Sequence, residues 1–283
     1  MIEILDQLDA LRACVAGWKR DGLRVAFVPT MGNLHAGHFS LIQLARRHTD
    51  KVVASVFVNP TQFGPNEDFG RYPRTPEADA KGLQAAGCDA LWLPSVKTMY
   101  PYGADHAVQM HVPGITDTLD GASRPGHFDG VATVVARLFN QVQADVAVFG
   151  RKDYQQLAVI RYLVQDLAFS IEIVAGDTLR EADGLAMSSR NQYLTPPQRA
   201  IAPTLHRVLQ SMRDAWREGM PRAGIEELAD HVLRAAGFVP DYAVLRRPDF
   251  SAPEDGDDCV LVALIAARLG STRLIDNLEF DAS

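Results

Sequence analysis

In the N-terminal part of the chain, short Val-rich apolar runs alternate with longer stretches whose apolar residues recur every three to four positions. Arg24 to Pro29 (RVAFVP) and Lys51 to Val58 (KVVASVFV) are continuous runs of strand length, and Ser40 to His48 between them has helical spacing. This β-α-β pattern recurs. A helix is predicted around Glu77 to Ala86 before the run DALWLP from Asp89, and another from about Val131 to Val142 before DVAVFG from Asp145. Tyr154 to Leu167 reads as a further helix and IEIV from Ile171 as a further strand. Alternation of this kind predicts an α/β fold, a Rossmann-like doubly wound parallel sheet with helices on both faces. The N-terminal stretch MIEILDQLDALRACVAGW mixes acidic and apolar residues in the manner of an amphipathic helix.

Past Asn191 the texture changes. TPPQR opens a long helical pattern through Trp216, a second runs from about Ala223 to Ala236, and three strand-like runs follow near Asp241–Leu245, Cys259–Ala266 and Thr272–Leu278. The expectation is a second, smaller α+β C-terminal domain over residues 187–283, closing over an active site carried by residues 1–186. A chain of 283 residues is long enough for this division.

Composition narrows the function. A hydrophobic fraction of 47% and a charged fraction of 22% are those of an ordinary globular protein. The net charge of −7 argues against capture of nucleic acid or of an anionic membrane, but not against a basic pocket for a small anion. The 3 cysteines lie far apart without C-x-x-C spacing, so neither a zinc site nor a disulfide framework is expected. The N-terminus lacks a signal-peptide pattern and no run has the length of a membrane span, which makes the cytoplasm the default location.

Candidate chemistry lies where strands give way to helices. The stretch PTMGNLHAGHFSLI, Pro29 to Ile42, follows the first predicted strand and opens a helix. In a parallel α/β sheet, ligands bind beyond the carboxyl ends of the strands, where a helix N-terminus offers free N–H groups and a positive dipole end. Gly32 and Gly37 would let backbone approach a ligand closely, and His35 and His38 could donate to one phosphate. The same two histidines could instead be turn residues satisfied by local backbone. RKDYQQ, from Arg151, and MSSRN, from Met187, add Lys152, Ser188, Ser189 and Arg190, side chains suited to phosphate oxygens. Together these groups are equipment for moving a nucleotidyl group.

H-x-G-H after the first strand and a KMSKS-like MSSRN loop resemble the nucleotidylyltransferase and class I aminoacyl-tRNA synthetase superfamily. VPTMGNLHAGH, VFVNPTQFGPNEDFGRYPRT, GASRPGHFDGV, FGRKDYQQLAVI and GLAMSSRNQYL, in that order and with RLIDN near the C-terminus, resemble the pantothenate synthetases (pantoate–β-alanine ligases) over essentially the whole chain. The resemblance implies an enzyme that condenses (R)-pantoate with β-alanine through a pantoyl adenylate. ATP would be the second substrate, arriving with Mg²⁺, with no tightly bound organic cofactor and a homodimer as the working form. It implies an ATP site of Met31, Gly32, Asn33, Leu34, His35, Ala36, Gly37, His38, Gly150, Arg151, Lys152, Asp153, Leu179, Met187, Ser188, Ser189 and Arg190. Of these, His38 would be the proton donor, and His35, Lys152 and Arg190 would complete the catalytic set.

Gln62 and Gln156 would bind pantoate, Gln62 also β-alanine, and Pro29, Met31, Phe63, Val134 and Val135 could face the gem-dimethyl group. Two departures stand out: Arg151 replaces the usual acidic residue beside Lys152, and in RTPEADA the acid commonly next to Asp79 is Ala78. With that acid missing, no direct protein ligand for Mg²⁺ is expected beyond a contact of Asp79 with the metal of Mg-ATP. The rival readings are another H-x-G-H nucleotidylyltransferase acting on a phosphorylated acceptor, and a non-catalytic ATP-binding module.

Overall fold

The computed structural model describes residues 2–64, 67 and 69–283. Pro65, Asn66 and Asp68 of the predicted NPTQFGPNEDFG motif lie outside the described residues. The chain divides into two units, Met1–Asp177 and Thr178–Ser283.

The first unit is built on strands β1 (Glu3–Leu5), β2 (Val25–Thr30), β3 (Lys51–Val56), β4 (Ala90–Trp92), β5 (Val146–Gly150) and β6 (Glu172–Gly176). They form one sheet in the order β1-β4-β3-β2-β5-β6, parallel at every pairing. The helices are α1 (Leu8–Arg20), α2 (Ala36–His48), α3 (Pro76–Ala86), the single turns α4 (Val96–Met99) and α5 (Asp120–Ser123), α6 (His127–Val142) and α7 (Tyr154–Asp166).

The period of two along β2 explains why both sheet faces are covered. Val25 and Phe27 join a core with Leu11 and Val15 of α1, Val135 and Leu138 of α6, and Leu157 and Ile160 of α7. Ala26 and Val28 point the other way, into a core with Ile42 and Ala45 of α2 and Leu83 of α3. The chain leaves β2 for β3 on one side and later places β5 on its other side. The carboxyl ends of β2 and β5 therefore frame the crevice where such sheets bind ligands.

The second unit carries α8 (Pro196–Ile201), α9 (Thr204–Arg217), α10 (Arg222–Ala235) and an antiparallel meander of β7 (Val239–Arg246), β8 (Val260–Leu269) and β9 (Thr272–Asp281). Leu205, Leu209 and Met212 of α9 and Leu233 of α10 share a core with Leu261 and Ile265 of β8. Among the described residues, no helix is long and apolar enough to cross a membrane.

Three local expectations are corrected. The N-terminal stretch is not helical throughout: Glu3 to Leu5 add an edge strand to β4, tied by Glu3 N–H to Asp89 O at 3.0 Å and Leu93 N–H to Leu5 O at 2.8 Å, and the helix begins only at Leu8. The long helix through Trp216 is two, broken at Ala202-Pro203, because Pro203 has no N–H to continue the ladder. The unit boundary falls at Asp177/Thr178 rather than 186/187. Residues 180–186 belong to the second unit since Arg180 bridges to Ala186 and pairs with Asp276 on β9.

Candidate active site

The first half of the site is the loop between β2 and α2. Gly32 and Asn33 are both left-handed, at φ of 85° and 52°, and turn the chain sharply out of the strand. Asp79, only 2% exposed, holds that turn in place. Its Oδ2 accepts from Asn33 N–H at 3.0 Å and its Oδ1 from Leu34 N–H at 2.8 Å and Thr75 Oγ1 at 3.0 Å. The carboxylate left open by the sequence as a magnesium contact is thus engaged by two backbone donors and the Thr75 hydroxyl. No group of three or more His, Cys, Asp or Glu able to hold a metal occurs among the described residues. The described residues do not fit a resident Mg²⁺ site.

The two histidines form a reciprocal cap on α2. His35 is the N-cap residue and its Nδ1 accepts from Gly37 N–H at 3.1 Å, while His38 Nδ1 accepts from His35 N–H at 3.3 Å. The ring centroids lie 4.1 Å apart. With both Nδ1 atoms accepting, each neutral ring carries its proton on Nε2. Burial, with the nearby ammonium of Lys152, lowers the His35 pKa from 6.5 to about 4. Burial, then His35 and Lys152, lower that of His38 to about 3. The site thus presents two neutral Nε2–H donors and one cation. Lys152 reaches it from the loop after β5, the strand beside β2.

Arg151, the departure from the usual acid, continues the sheet ladder through its N–H to Gly176 O at 2.8 Å. Its Nε lies 3.4 Å from Asp177 Oδ1, an exposed pair. Asp153, next after Lys152, is the N-cap residue of α7.

The second half of the site surrounds Gln62, which is 8% exposed and ends the 3₁₀ turn Pro60–Gln62. Asn59 Nδ2 donates to Gln62 Oε1 at 3.2 Å, and Gln62 Nε2 lies 3.5 Å from Met31 Sδ. This last contact joins the two halves. Asn59, missed in the sequence reading, is itself held by Tyr100 Oη donating to its Oδ1 at 2.6 Å. Gln155, not Gln156, is the bonded member of the adjacent pair. Its Nε2 donates to Ile115 O at 2.7 Å and Thr118 O at 2.8 Å, and its Oε1 accepts from Asp120 N–H at 3.0 Å. The Gln156 side chain makes no hydrogen bond to a described residue. Of the proposed apolar wall, Val134 and Val135 are each 5% exposed, and Phe63 packs on Phe69 and Tyr72.

Leu179, Met187, Ser188, Ser189 and Arg190 lie in the second unit. Met187 N–H donates to Leu179 O at 2.9 Å, bringing those two together. Ser188 caps the 3₁₀ turn Ser189–Tyr193, its Oγ accepting from Arg190 N–H at 3.2 Å. Arg180 underpins this hairpin. It donates to Asp276 at 2.6 and 3.0 Å, to Gly184 O at 3.1 Å and to Asn277 O at 3.2 Å. The RLIDN motif, which contains Asp276 and Asn277, was its sequence signal.

A pH prediction follows from the buried imidazoles. His127, beneath Gln62, is also lowered to about 4, by burial and then by Arg124. The unfolded chain takes up protons near pH 6.5 where folded His35, His38 and His127 stay neutral. Lowering the pH from about 6.5 towards 4 therefore favours unfolding. The urea midpoint should fall across that window, and His127→Asn should remove up to about one proton, or about 1.4 kcal/mol per pH unit, from the slope. An unchanged slope would show that His127 titrates normally in the folded protein.

A parallel α/β sheet with a capped H-x-G-H turn and a lysine at its switch point defines a nucleotide-handling enzyme. The pantoate–β-alanine ligase family model matches residues 3–279, and the chain belongs to that family. It is 68% identical to a pantothenate synthetase of Xanthomonas oryzae pv. oryzae over 99% of this chain and 100% of that protein. The pantothenate synthetase of Thermus thermophilus superimposes with a TM-score of 0.90 at 47% identity, covering 98% of this chain and 99% of that one. A pantoate–β-alanine ligase from Francisella tularensis, solved with β-γ ATP and β-alanine, gives a TM-score of 0.83 at 31% identity over 100% of both chains.

Proposed function

We propose that the residues assembled here carry out the family reaction in two steps. The enzyme condenses pantoate with β-alanine using ATP. In the first step a pantoate carboxylate oxygen attacks the α-phosphorus, the bond to pyrophosphate breaks, and pantoyl adenylate forms. In the second, the β-alanine amine attacks the acyl carbon, AMP departs with the electron pair of the broken C–O bond, and the amine loses a proton.

The observation that carries the assignment of roles is the pair of Nε2–H donors beside Lys152. Charge grows on the α-phosphoryl oxygens and pyrophosphate in the first step, and fixed donors in a partly dry site stabilise it without reorganising. With its pKa near 3, His38 acts as a hydrogen-bond donor rather than as an imidazolium acid. Lys152 adds a full positive charge. Ser188, Ser189 and Arg190 bind the departing pyrophosphate and Leu179 the adenine, an assignment resting on their motif. Magnesium enters as part of the ATP substrate, held by phosphates, in keeping with its preference for few protein carboxylates.

Gln62 and Gln156 bind pantoate, and Gln62 also contacts β-alanine. Asn59 occupies the Gln62 oxygen, so Gln62 offers its amide N–H to an acceptor on the hydroxy acid. Transfer onto a phosphorylated acceptor would call for an uncommitted basic group at the Gln62 amide; that amide meets Asn59 and Met31, and the nearby Arg124 is engaged by Glu67. From kinship we also propose a homodimer working in the cytoplasm, which sedimentation and fractionation would check.

Isotope exchange between pyrophosphate and ATP tests the reading. Exchange should require pantoate and should proceed without β-alanine, because adenylate formation reverses before the amine arrives. Exchange driven by another acid but not by pantoate would overturn the substrate, and none with any acid would favour a binding module.

A further inference from the structure

The motif GASRPGHFDGV plays no part in the roles assigned so far, yet it is built around Gln62. His127 opens α6 and its Nδ1 lies 2.8 Å from the Gln62 carbonyl oxygen. Arg124 Nη1 lies 2.8 Å from His127 Nε2. Behind it, Arg124 Nε and Nη2 each donate at 2.6 Å to the two oxygens of Glu67. The polarity of this chain is fixed from its far end. A carboxylate only accepts and a guanidinium only donates, so His127 Nε2 must accept and Nδ1 must carry the proton given to Gln62.

One turn into α6, Gly130 completes the support. A Cβ there would sit 2.6 Å from Thr61 O and 2.7 Å from Gln62 N and Cα, so only glycine lets the helix approach. The Gly130 carbonyl accepts from Asn59 Nδ2 at 3.1 Å, and the same nitrogen donates to Gln62 Oε1. Gln62 is thus fixed at its backbone oxygen, its backbone nitrogen side and its side-chain oxygen. Its Nε2, with one N–H turned to Met31 Sδ, has a second N–H to meet a substrate.

We propose that Glu67, Arg124 and His127 form a positioning relay that sets the Gln62 amide for pantoate, with His127 as the positioning residue next to it. This rests on Gln62 being the pantoate-binding glutamine. A site residue held within a fraction of an ångström by a locked supporting shell binds without paying to be ordered, so loosening the shell weakens the one ligand that residue meets.

The test is pantoate-dependent ATP–pyrophosphate exchange, with the KM for pantoate and for ATP measured separately. His127→Leu, which removes the donor, should raise the pantoate KM by about tenfold or more, the size of one lost hydrogen bond. The ATP KM should move less than about twofold, since Gln62 does not meet the nucleotide. His127→Asn, whose Nδ2 can take the place of the imidazole Nδ1, should recover most of the loss. Glu67→Gln, a milder change at the far end of the relay, should give an intermediate rise and serves if His127→Leu does not fold.

Equal rises for both substrates, no rise in a folded variant, or no recovery with asparagine would overturn the relay while leaving the function intact. A parent enzyme without pantoate-dependent exchange would overturn the functional reading and the relay with it.

Discussion

His38→Ala is expected to slow adenylation by a factor on the order of 10²–10³, the size of about 2.7–4 kcal/mol lost with a deleted oxyanion donor. The effect should be confined to the first half-reaction. β-Alanine attacks carbon after pyrophosphate has gone, so the variant supplied with preformed pantoyl adenylate and β-alanine should make pantothenate at a rate near the parent's. His38 also caps α2 through its Nδ1, so some stability will be lost as well, of the order of 1 kcal/mol for a cap. His38→Asn separates the two roles. Its side-chain oxygen can accept from the His35 N–H, but its amide cannot reach where the imidazole Nε2 does, so it should restore the melting temperature more than the rate. A variant that folds normally and adenylates at the parental rate would make His38 a capping residue and nothing more.

The second large effect is one of stability. Asp276 is 3% exposed and takes two hydrogen bonds from Arg180 at 2.6 and 3.0 Å. Asp276→Ala strands the guanidinium, whose other partners are the carbonyls of Gly184 and Asn277. Breaking one side of a buried pair costs about 3–5 kcal/mol, a large share of the roughly 5–15 kcal/mol that typically holds a domain folded. The second unit should melt well below the first in a calorimetric scan, and the reaction should slow because Leu179 and Met187 sit on the same hairpin as Arg180. Replacing both partners with apolar residues, Arg180→Met with Asp276→Leu, should recover much of the stability, since no unpaired charge is then left inside. A loss under about 1 kcal/mol for Asp276→Ala would mean that the pair is solvated in solution and behaves like a surface ion pair.

The sheet was legible because its strands are buried on both faces and separated by helices of 3.6 period, and those periods depend only on neighbours in sequence. The expected helix around 131–142 starts at His127 because Gly126, left-handed at φ 78°, turns the chain into it, and glycine there reads equally well as loop. The edge strand Glu3–Leu5 was not legible: at three residues it has no period of its own and exists because β4 offers it a partner.

The site divides the same way. The residue types of H-x-G-H and the lysine after β5 pointed to phosphate chemistry, and the fold places both at the switch point. The hydrogen bonds that give each residue its task were hidden because they join distant parts of the chain. Asp79 looked like a metal candidate by its neighbours in sequence and proves to hold Asn33 and Leu34. Gln155 and Gln156 are indistinguishable in sequence, and only packing against the Ile115–Asp120 loop engages one and leaves the other.

The reciprocal cap of His35 and His38 bears on how these two positions can drift. Each ring serves the helix with Nδ1 and, in the proposed mechanism, gives Nε2 to the nucleotide, so selection for folding and selection for turnover would fall on different atoms of one side chain. A descendant that kept the fold but no longer needed the reaction would be free to exchange either histidine for Asn, Asp or Ser, all good capping acceptors. Such replacements at 35 and 38, with Asp79 and the left-handed pair at 32 and 33 retained, would mark a copy that had become a scaffold.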